Sequence, residues 1–340
     1  MAAYDRKTGR RNQGLRESSD RSLAMSAATS KAAIQPALAL DNPELSARVW
    51  SIEESYRYCE RLARSHYENF PVGSVLIKKS LRRHFYAIYS FARIADDFAD
   101  EGYETGSYTE SERLGWLRQW EAQLTEAYEG RSRHPVFVAL ADTAERFSLP
   151  IQLFEDLISA FSQDVTTRRY STFDELADYC RRSANPIGRL ILLLFGYRDS
   201  RMHAQSDDIC TGLQLANHWQ DVAIDLEKDR VYIPNEDLLR FGLSVDAIRR
   251  GAASDQFKQL MQFETARARE MFLTGKPLCT AVAGRLSLEL RVVWLGGMTI
   301  IKRLEQNEFD VFRRRPAIGT ADKIRILAAA ASRWAFNSFR

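Results

Sequence analysis

The sequence contains no apolar run of roughly 18 residues, so no transmembrane helix is predicted. The N-terminus is basic but no apolar segment follows it, and a secretory signal is therefore not predicted either. The cysteines form no Cys-x-x-Cys pair. Their scatter favours reduced thiols in a cytoplasmic protein over disulfides or a zinc site: Cys59, Cys180, Cys210 and Cys279.

An excess of charge of one sign is also missing. The chain has 48 Lys and Arg against 45 Asp and Glu, a net charge of +3, and residues 1–21 carry all of that excess. The remainder is neutral, so no nucleic-acid partner is predicted. Glycine fingerprints for dinucleotides or P-loop nucleotides are absent, as are the His-Glu-x-x-His and Glu-x-x-His metal motifs. These absences exclude the commonest cofactor and metal classes.

Alternating strand patterns are absent, and helical periodicity takes their place. Residues 1–45 are predicted to be a disordered extension, and residues 46–340 to form one all-α domain. Pro186 and Gly188 predict a kink within their helix. Helices are predicted over residues 51–69, 81–101, 114–130, 135–147, 150–164, 173–195, 207–228, 235–241, 244–250, 254–275, 281–307 and 321–336.

The most informative polar pattern lies within residues 217–229. Asn217, Asp221, Asp225 and Asp229 recur at every fourth position and stack on one face of a helix. Like charges at that spacing repel one another, and apolar residues surround these acids, so they need a cationic partner. We interpret the face as oxygen ligands for a divalent metal. Internal salt bridges with arginines elsewhere in the chain are the alternative.

A similar acidic pattern occupies residues 96–101. Spacing by three and four puts one polar set on a single side of the helix: Tyr89, Arg93, Asp96, Asp97 and Asp100. The other side is predicted to hold Phe85, Ile88, Ala92 and Ala95. Clustered carboxylates raise one another's pKa unless a cation compensates, and Mg²⁺ is usually held by a few carboxylates plus phosphate oxygens. Arg93 suits a diphosphate oxygen. For this motif alone, a solvated helix end is the alternative.

Taken together, the two patches are predicted to face each other across a cavity and to hold Mg²⁺ with a diphosphate between them. A helical bundle with such a site is typical of isoprenoid synthases, in which metal ions draw off diphosphate and leave a carbocation. His218 is predicted to pack beside the site. Several aromatic residues could guide the cation: Phe70, Phe85, Tyr86, Tyr89 and Trp219. For about half of them, plain core packing is the alternative.

The chain resembles the squalene/phytoene synthase family from about residue 51 to 320. Three motifs carry the resemblance: Tyr89-x3-Arg93-x2-Asp96-Asp97-x2-Asp100, then Asn217-x2-Gln220-Asp221-x3-Asp225, then Asp229-Arg230-Val231-Tyr232-Ile233-Pro234. The resemblance implies a single-domain isoprenoid-synthase bundle with a central cavity. It implies two or three Mg²⁺ ions held by Asp96, Asp97, Asp100, Asn217, Asp221 and Asp225.

The same resemblance suggests roles for other residues. Tyr89, Arg93, Gln220 and Tyr232 are expected to act in catalysis. Contacts to substrate are expected from Phe70, Arg93, Asn217, Gln220 and Arg230. Asp229 is expected to belong to the turn that closes the site rather than to the metal set.

Within the family, three stretches resemble the hydroxysqualene synthase branch of bacterial hopanoid biosynthesis, namely residues 68–74, 182–189 and 310–316. That branch ionises presqualene diphosphate and quenches the cation with water, without NADPH. Many relatives have Arg where this chain has Gln220, and Tyr near Gly297, where the missing ring is expected to leave room for water. The alternative is head-to-head condensation of two prenyl diphosphates. A non-catalytic helical protein is disfavoured because all five aspartates are present.

The resemblance also implies a prenyl diphosphate substrate and cooperation with other enzymes of the same pathway. The substrate and product are long hydrocarbons, so we expect a cytoplasmic protein with peripheral contact at the inner face of the membrane. Residues 313–315, which are three arginines, and the amphipathic segment 321–336 are the candidates for touching anionic lipid. Ordinary packing beside a solvated basic turn is the alternative.

Overall fold

The structure is a computed structural model that describes residues 48–65, 77–100 and 108–332, together with Leu45 and Phe336. In these residues it contains helices and no strand, and one isolated bridge joins Arg169 to Val231. The predicted all-α class is confirmed. The helices are α1 (Ile52–Ser65), α2 (Lys79–Asp100), α3 (Glu110–Tyr128), α4 (Pro135–Phe147), α5 (Gln152–Thr166), α6 (Phe173–Ser183), α7 (Asn185–Leu194), α8 (Ser200–Glu227), α9 (Asn235–Arg240), α10 (Val245–Arg249), α11 (Asp255–Gly275), α12 (Leu278–Ala281), α13 (Gly284–Gln306) and α14 (Thr320–Ala331).

Capping residues decide where several of these helices begin. The Thr109 side chain accepts a hydrogen bond from the Glu112 amide and completes a capping box at α3. At α8, Asp199 accepts from the amide of Met202, so the helix begins at Ser200, seven residues before the predicted start. The apolar periodicity of α8 starts later than its cap, which is why the early turns were missed.

The kink predicted at Pro186 is a complete break between two helices. Helix α6 ends at Ser183, and α7 begins at Asn185 with the proline in its first turn. Proline is tolerated in a first turn because the amide it lacks has no partner there. The break lets α7 run through the middle of the fold in its own direction.

Two hydrophobic cores share the fold. The first is built from α1 to α5 with part of α7, and the second from the later helices together with parts of α5, α6 and α7. Ile191 and Phe195 pack against both cores and stay partly accessible. Segment 185–195 therefore lies where the two cores meet.

No helix in the described ranges is long and apolar enough to cross a bilayer.

Three glycines bring neighbouring helices unusually close to the N-terminal half of α8. A Cβ on Gly275 would lie 2.6 Å from the carbonyl oxygen of Gln205. A Cβ on Gly188 would overlap the Ser206 hydroxyl, and one on Gly297 would overlap the ring of Phe272, which itself packs against α8. Only glycine permits these approaches. Helices α7, α11 and α13 therefore fix this half of α8 from three directions.

Candidate active site

From Tyr89 onwards, the accessible residues of α2 follow one stripe along the helix: Tyr89, Ala92, Arg93, Asp96 and Asp100. Tyr89 stacks on Phe85 with ring centroids 6.5 Å apart. One prediction about this helix was wrong, because Ala92 lies in the stripe rather than opposite it. Asp97, which was predicted on the same side as Arg93, hydrogen-bonds that residue but is buried.

Arg93 explains why Asp97 tolerates burial. Its guanidinium is 3.3 Å from the Asp96 carboxylate and also hydrogen-bonds Asp97. Burial works against the charge of Arg93, but the two aspartates outweigh it and raise its pKa. A buried carboxylate needs such a partner. Two of the three aspartates on α2 are therefore paired with an arginine of their own helix.

On α8, three of the four ladder residues form an accessible face, as predicted. Asn217 is exposed, and Asp221 and Asp225 are partly buried one and two turns later. Arg315, from the segment after α13, binds both carboxylate oxygens of Asp221, with Nη2 3.0 Å from Oδ2. This contact is a salt bridge with a distant arginine, which the sequence analysis gave as the alternative for this face without identifying Arg315. The counter-charge of the ladder comes from a distant part of the chain.

The fourth member of the ladder leaves the helix. Asp229 follows the end of α8 with a left-handed φ of 55° and binds Arg169 and Arg249. It belongs to the turn that precedes Tyr232, as the motif suggested. The next residue, Arg230, reaches back across the site and places Nη2 3.1 Å from Oδ1 of Asp100 on α2.

The contact between Arg230 and Asp100 shows that the two acidic faces lie opposite one another. Burial raises the pKa of Asp225 to about 7, and the charges of Asp221 and Asp100 add to that rise. Burial likewise raises the pKa of Asp96 to about 7, reinforced by Asp100 and opposed in part by Arg93 and Arg230. Its side chain is nevertheless 41% exposed.

The donor chemistry of this end of the bundle fits Mg²⁺. Even with three arginines present, the carboxylates raise one another's pKa, so additional positive charge at this end would be favourable. Within the described ranges, no three acidic, His or Cys side chains converge closely enough to hold an ion unaided. Mg²⁺ does not require that, because one or two carboxylates with phosphate oxygens and water complete its octahedron. The ions themselves remain a prediction.

Gln220 does not belong to the accessible face of α8 that carries Asn217, Asp221 and Asp225. Its side chain is buried, and its amide donates a hydrogen bond to the carbonyl oxygen of Pro316. It thereby ties the segment that carries Arg315 to α8. The room expected beside Gly297 is also absent, because the Phe272 ring fills it. Gly296 is the open position, since a Cβ there would meet only Ile318, at 3.9 Å.

Tyr232 belongs to a cluster of rings behind the site. It stacks on His218 with centroids 3.7 Å apart and lies 5.8 Å from Tyr170 and 6.0 Å from Tyr179. His218 is buried and packs, as predicted. Charges of Asp164, Arg230 and Asp225 all act on the Tyr232 phenol, so this ring lies close to the carboxylate end of the bundle.

Asp164, at the end of α5, is a second residue that the sequence did not reveal. Its carboxylate accepts a hydrogen bond from the Tyr179 hydroxyl at 3.0 Å. Burial raises its pKa to about 7, while Tyr179 and Arg230 oppose that rise. No acidic repeat surrounds Asp164 in the sequence, so its place under Arg230 had no local signal.

Of the aromatic candidates, Trp219 is fully buried core, and Phe85 and Tyr86 are nearly so. Tyr89 is the one with an accessible ring. Phe70, together with the motif over residues 68–74, lies outside the described residues.

Comparison with known proteins agrees with this geometry. The family model of squalene/phytoene synthase matches residues 63–322. A 15-cis-phytoene synthase from Synechocystis sp. is 32% identical over 86% of this chain and 89% of its own length. A hydroxysqualene synthase from Sinorhizobium fredii is 35% identical over 71% of this chain and 80% of its own.

A solved structure supports the same assignment. The squalene synthase HpnC from Alicyclobacillus acidocaldarius is 38% identical, with a TM-score of 0.72, and the match covers 76% of this chain and 95% of that one. The fold is thus the helical bundle of these synthases. Since the family match spans more than half of the sequence, the chain belongs to the squalene/phytoene synthase family.

Proposed function

We propose that the protein converts presqualene diphosphate and water into hydroxysqualene and diphosphate. The bond between the carbinyl carbon and the diphosphate oxygen breaks, and the diphosphate leaves with the electron pair. The cyclopropylcarbinyl cation opens as a water oxygen bonds to carbon, and that water loses a proton. No oxidant or reductant is needed, so we expect no use of NADPH.

The arginines of the site are suited to bind the leaving diphosphate, and its carboxylates are suited to bind Mg²⁺. Arg93, Arg230 and Arg315 each pair with a carboxylate of the site, and each offers a planar fork suited to a diphosphate oxygen. Bound Mg²⁺ supplies positive charge for the departing diphosphate. We assign its binding to Asp96, Asp100, Asn217, Asp221 and Asp225, which are accessible. Asp97, also predicted as a ligand, holds Arg93 in place.

The observation that carries the proposal is the position of Gln220. Where many relatives have a cationic arginine, this chain has a neutral amide that is buried and bonded to Pro316. The described part of the site therefore offers three arginines to diphosphate. A condensing enzyme has two diphosphates to hold, whereas ionisation of presqualene diphosphate needs only one to be held. The relative named hydroxysqualene synthase supports the same choice.

Isotope labelling tests the reaction directly. Purified enzyme is incubated with presqualene diphosphate and Mg²⁺ in ¹⁸O-labelled water, without NADPH, and the products are analysed by mass spectrometry. We expect hydroxysqualene with one ¹⁸O atom. Hydrocarbon products alone, or an alcohol that retains the unlabelled ester oxygen, would contradict water capture.

Condensation of two prenyl diphosphates is the second candidate, and the phytoene synthases among the relatives favour it. The same carboxylates and arginines serve that reaction. Incubation with farnesyl or geranylgeranyl diphosphate as the sole substrate separates the two candidates. Formation of presqualene diphosphate, squalene or phytoene would replace the proposed function. If water capture is correct, another enzyme that joins two prenyl diphosphates must supply the substrate.

A further inference from the structure

Helix α14 has two faces of opposite character. Its inner face is buried through Asp322, Ile326 and Ala330, spaced by four residues. Arg303 of α13 donates to both oxygens of Asp322, at 2.9 and 2.8 Å, and fixes this face. The outer face exposes Ile324 and Leu327, which are 65% and 54% accessible. The orientation of the helix is therefore set, and its outer apolar side chains have no cover among the described residues.

The outer face continues beyond these two side chains. Ala328 and Ala331 are also exposed and lie on the same side, since successive residues turn by about 100°. That rotation puts Lys323 on one flank of the apolar strip and Arg325 on the other. Neither forms an ion pair within the part of the chain that the structure describes. Asp322 is the one acid of the helix, and it is buried and paired. The face is thus apolar in the centre and cationic at both edges.

A cavity of about 210 Å³ lies between α13 and α14. Lys302 and Arg325 line it, together with the ion pair of Arg303 and Asp322, while Leu295 and Ile326 give it an apolar wall. It is large enough for a phosphate group with part of its ester. Positive side chains around a small cavity next to an exposed apolar strip suit a phospholipid headgroup whose acyl chains meet Ile324 and Leu327.

We propose that the outer face of α14 docks the enzyme on an anionic lipid surface. Apolar side chains flanked by Lys and Arg are the arrangement that lies in a membrane interface, and each basic residue near an anionic leaflet adds attraction. A protein partner fits less well, because a stable interface buries about 800 Å² on each side. A single helix with two large apolar side chains offers much less. The proposal concerns location and stands whichever reaction the site performs.

The basic turn at residues 313–315, suggested by the sequence for this role, contributes less. Arg315 is bound to Asp221 at the active site, and Arg313 lies 3.3 Å from Asp310. Arg314 is the member of the triplet that stays exposed without a described ion pair. The lipid-facing cations are therefore those of α14 and its neighbour Lys302.

Vesicle sedimentation with the full chain tests the proposal. The protein is spun with vesicles of phosphatidylcholine alone and with vesicles that also contain phosphatidylglycerol. We expect binding to the anionic vesicles, weakened by added salt. The triple variant Lys302→Gln, Lys323→Gln, Arg325→Gln should bind more weakly, on the order of fivefold for each cation removed. Ile324→Glu with Leu327→Glu should abolish binding. Leu239→Glu is the matched control, because that side chain is 66% exposed elsewhere and should have no effect.

Other outcomes would overturn the assignment. These are no binding, equal binding to both vesicle types, or unchanged binding of the α14 variants. A concentration-dependent dimer that Ile324→Glu with Leu327→Glu dissolves would assign the face to a second copy of the chain instead. Turnover of detergent-dispersed substrate should be unaffected by the α14 variants. Loss of that turnover with intact folding would mean that the helix serves the reaction rather than docking.

Discussion

The two acidic faces of the site are neutralised in different ways. On α2, Arg93 pairs with Asp96 and Asp97 three and four residues later, and one of these carboxylates is buried. On α8, Asp221 pairs with Arg315, which lies 94 residues away in the sequence and is half exposed. The Arg93–Asp97 pair is mostly buried, whereas the Arg315–Asp221 pair is more exposed. The positive charge that pairs with Asp96 and Asp97 thus comes from α2 itself. The positive charge that pairs with Asp221 comes from Arg315, which can exchange this carboxylate for a ligand.

Asp221→Asn removes the carboxylate from the ligand-facing half and should have the largest effect. We expect turnover to fall by about 10³-fold, since a charge that stabilises the leaving group is lost, with the helical circular dichroism unchanged. Glu227→Gln, at an exposed position near the end of the same helix, is the matched control. Unaltered turnover of Asp221→Asn would remove α8 from the metal site.

Arg93→Gln removes the ion pairs of Arg93 with Asp96 and Asp97 and should lower stability as well as turnover. The buried Asp97 would lose its ion pair with Arg93, and we expect a loss of about 3 kcal/mol in the free energy of unfolding. Urea denaturation measures it. Adding Asp97→Asn in the same chain should recover part of the loss. A stability equal to that of the unmodified chain would show that Asp97 finds another partner.

Arg315→Gln should separate turnover from stability. The Arg315–Asp221 pair is partly exposed, so its removal should change the free energy of unfolding by less than about 1 kcal/mol. Turnover should fall by about 10²-fold as a diphosphate donor is lost. Arg313→Gln, two residues earlier and outside the site, is the control. If both variants behave alike, Arg315 serves only the fold.

The pH dependence of Mg²⁺ binding gives the smallest expected effect. The pKa values of Asp96 and Asp225 are raised to about 7 in the metal-free fold, above the value of about 3.9 for an unfolded chain. Their contribution to metal-free stability is therefore present at acid pH and is lost as pH rises through 7. Mg²⁺ needs the deprotonated carboxylates, so the rise in Tm on adding it should grow between about pH 6 and pH 8.

The carboxylate variants provide the control for this measurement. In Asp225→Asn the Mg²⁺-dependent rise in Tm should be smaller and flatter with pH, because one titrating ligand is gone. A Tm increment that is independent of pH in the unmodified chain would mean that neither carboxylate is released to the ion.

Local patterns predicted the parts of the site that lie within one helix or turn. The spacing of Tyr89, Arg93, Asp96 and Asp100 placed them together correctly, and the ladder of α8 holds as far as Asp225. Spacing by three and four positions did not distinguish the buried Asp97 from its accessible neighbours, because a four-residue step rotates around the helix by about 40° beyond one full turn. Burial at that angle depends on which helices pack there.

Long-range partners were beyond prediction. Arg315 reaches Asp221 from the segment after α13, and Asp164 lies at the end of α5. The sequence singled out residues 310–316 for their resemblance and residues 313–315 as a basic turn, but it did not identify Arg315 as the partner of Asp221, and nothing near Asp164 marks that residue. Gln220 was singled out correctly as unusual, yet its direction depends on Pro316, which packs against it from 96 residues away. At Gly297 the sequence indicated a missing ring, whereas the Phe272 ring from another helix occupies that place.

The glycine contacts around α8 have a consequence for the timing of the reaction. Because Gly188, Gly275 and Gly297 bring neighbouring helices close to its first half, we expect this helix to resist sliding or tilting as the site fills and empties. Adjustment is left to the segment after α13, which is tied to α8 next to the ladder through Arg315 and Pro316. We expect those two ties to loosen once in every catalytic cycle, so that the escape of diphosphate, and with it the pace of turnover, follows the opening of this segment rather than any motion of the carboxylate helices.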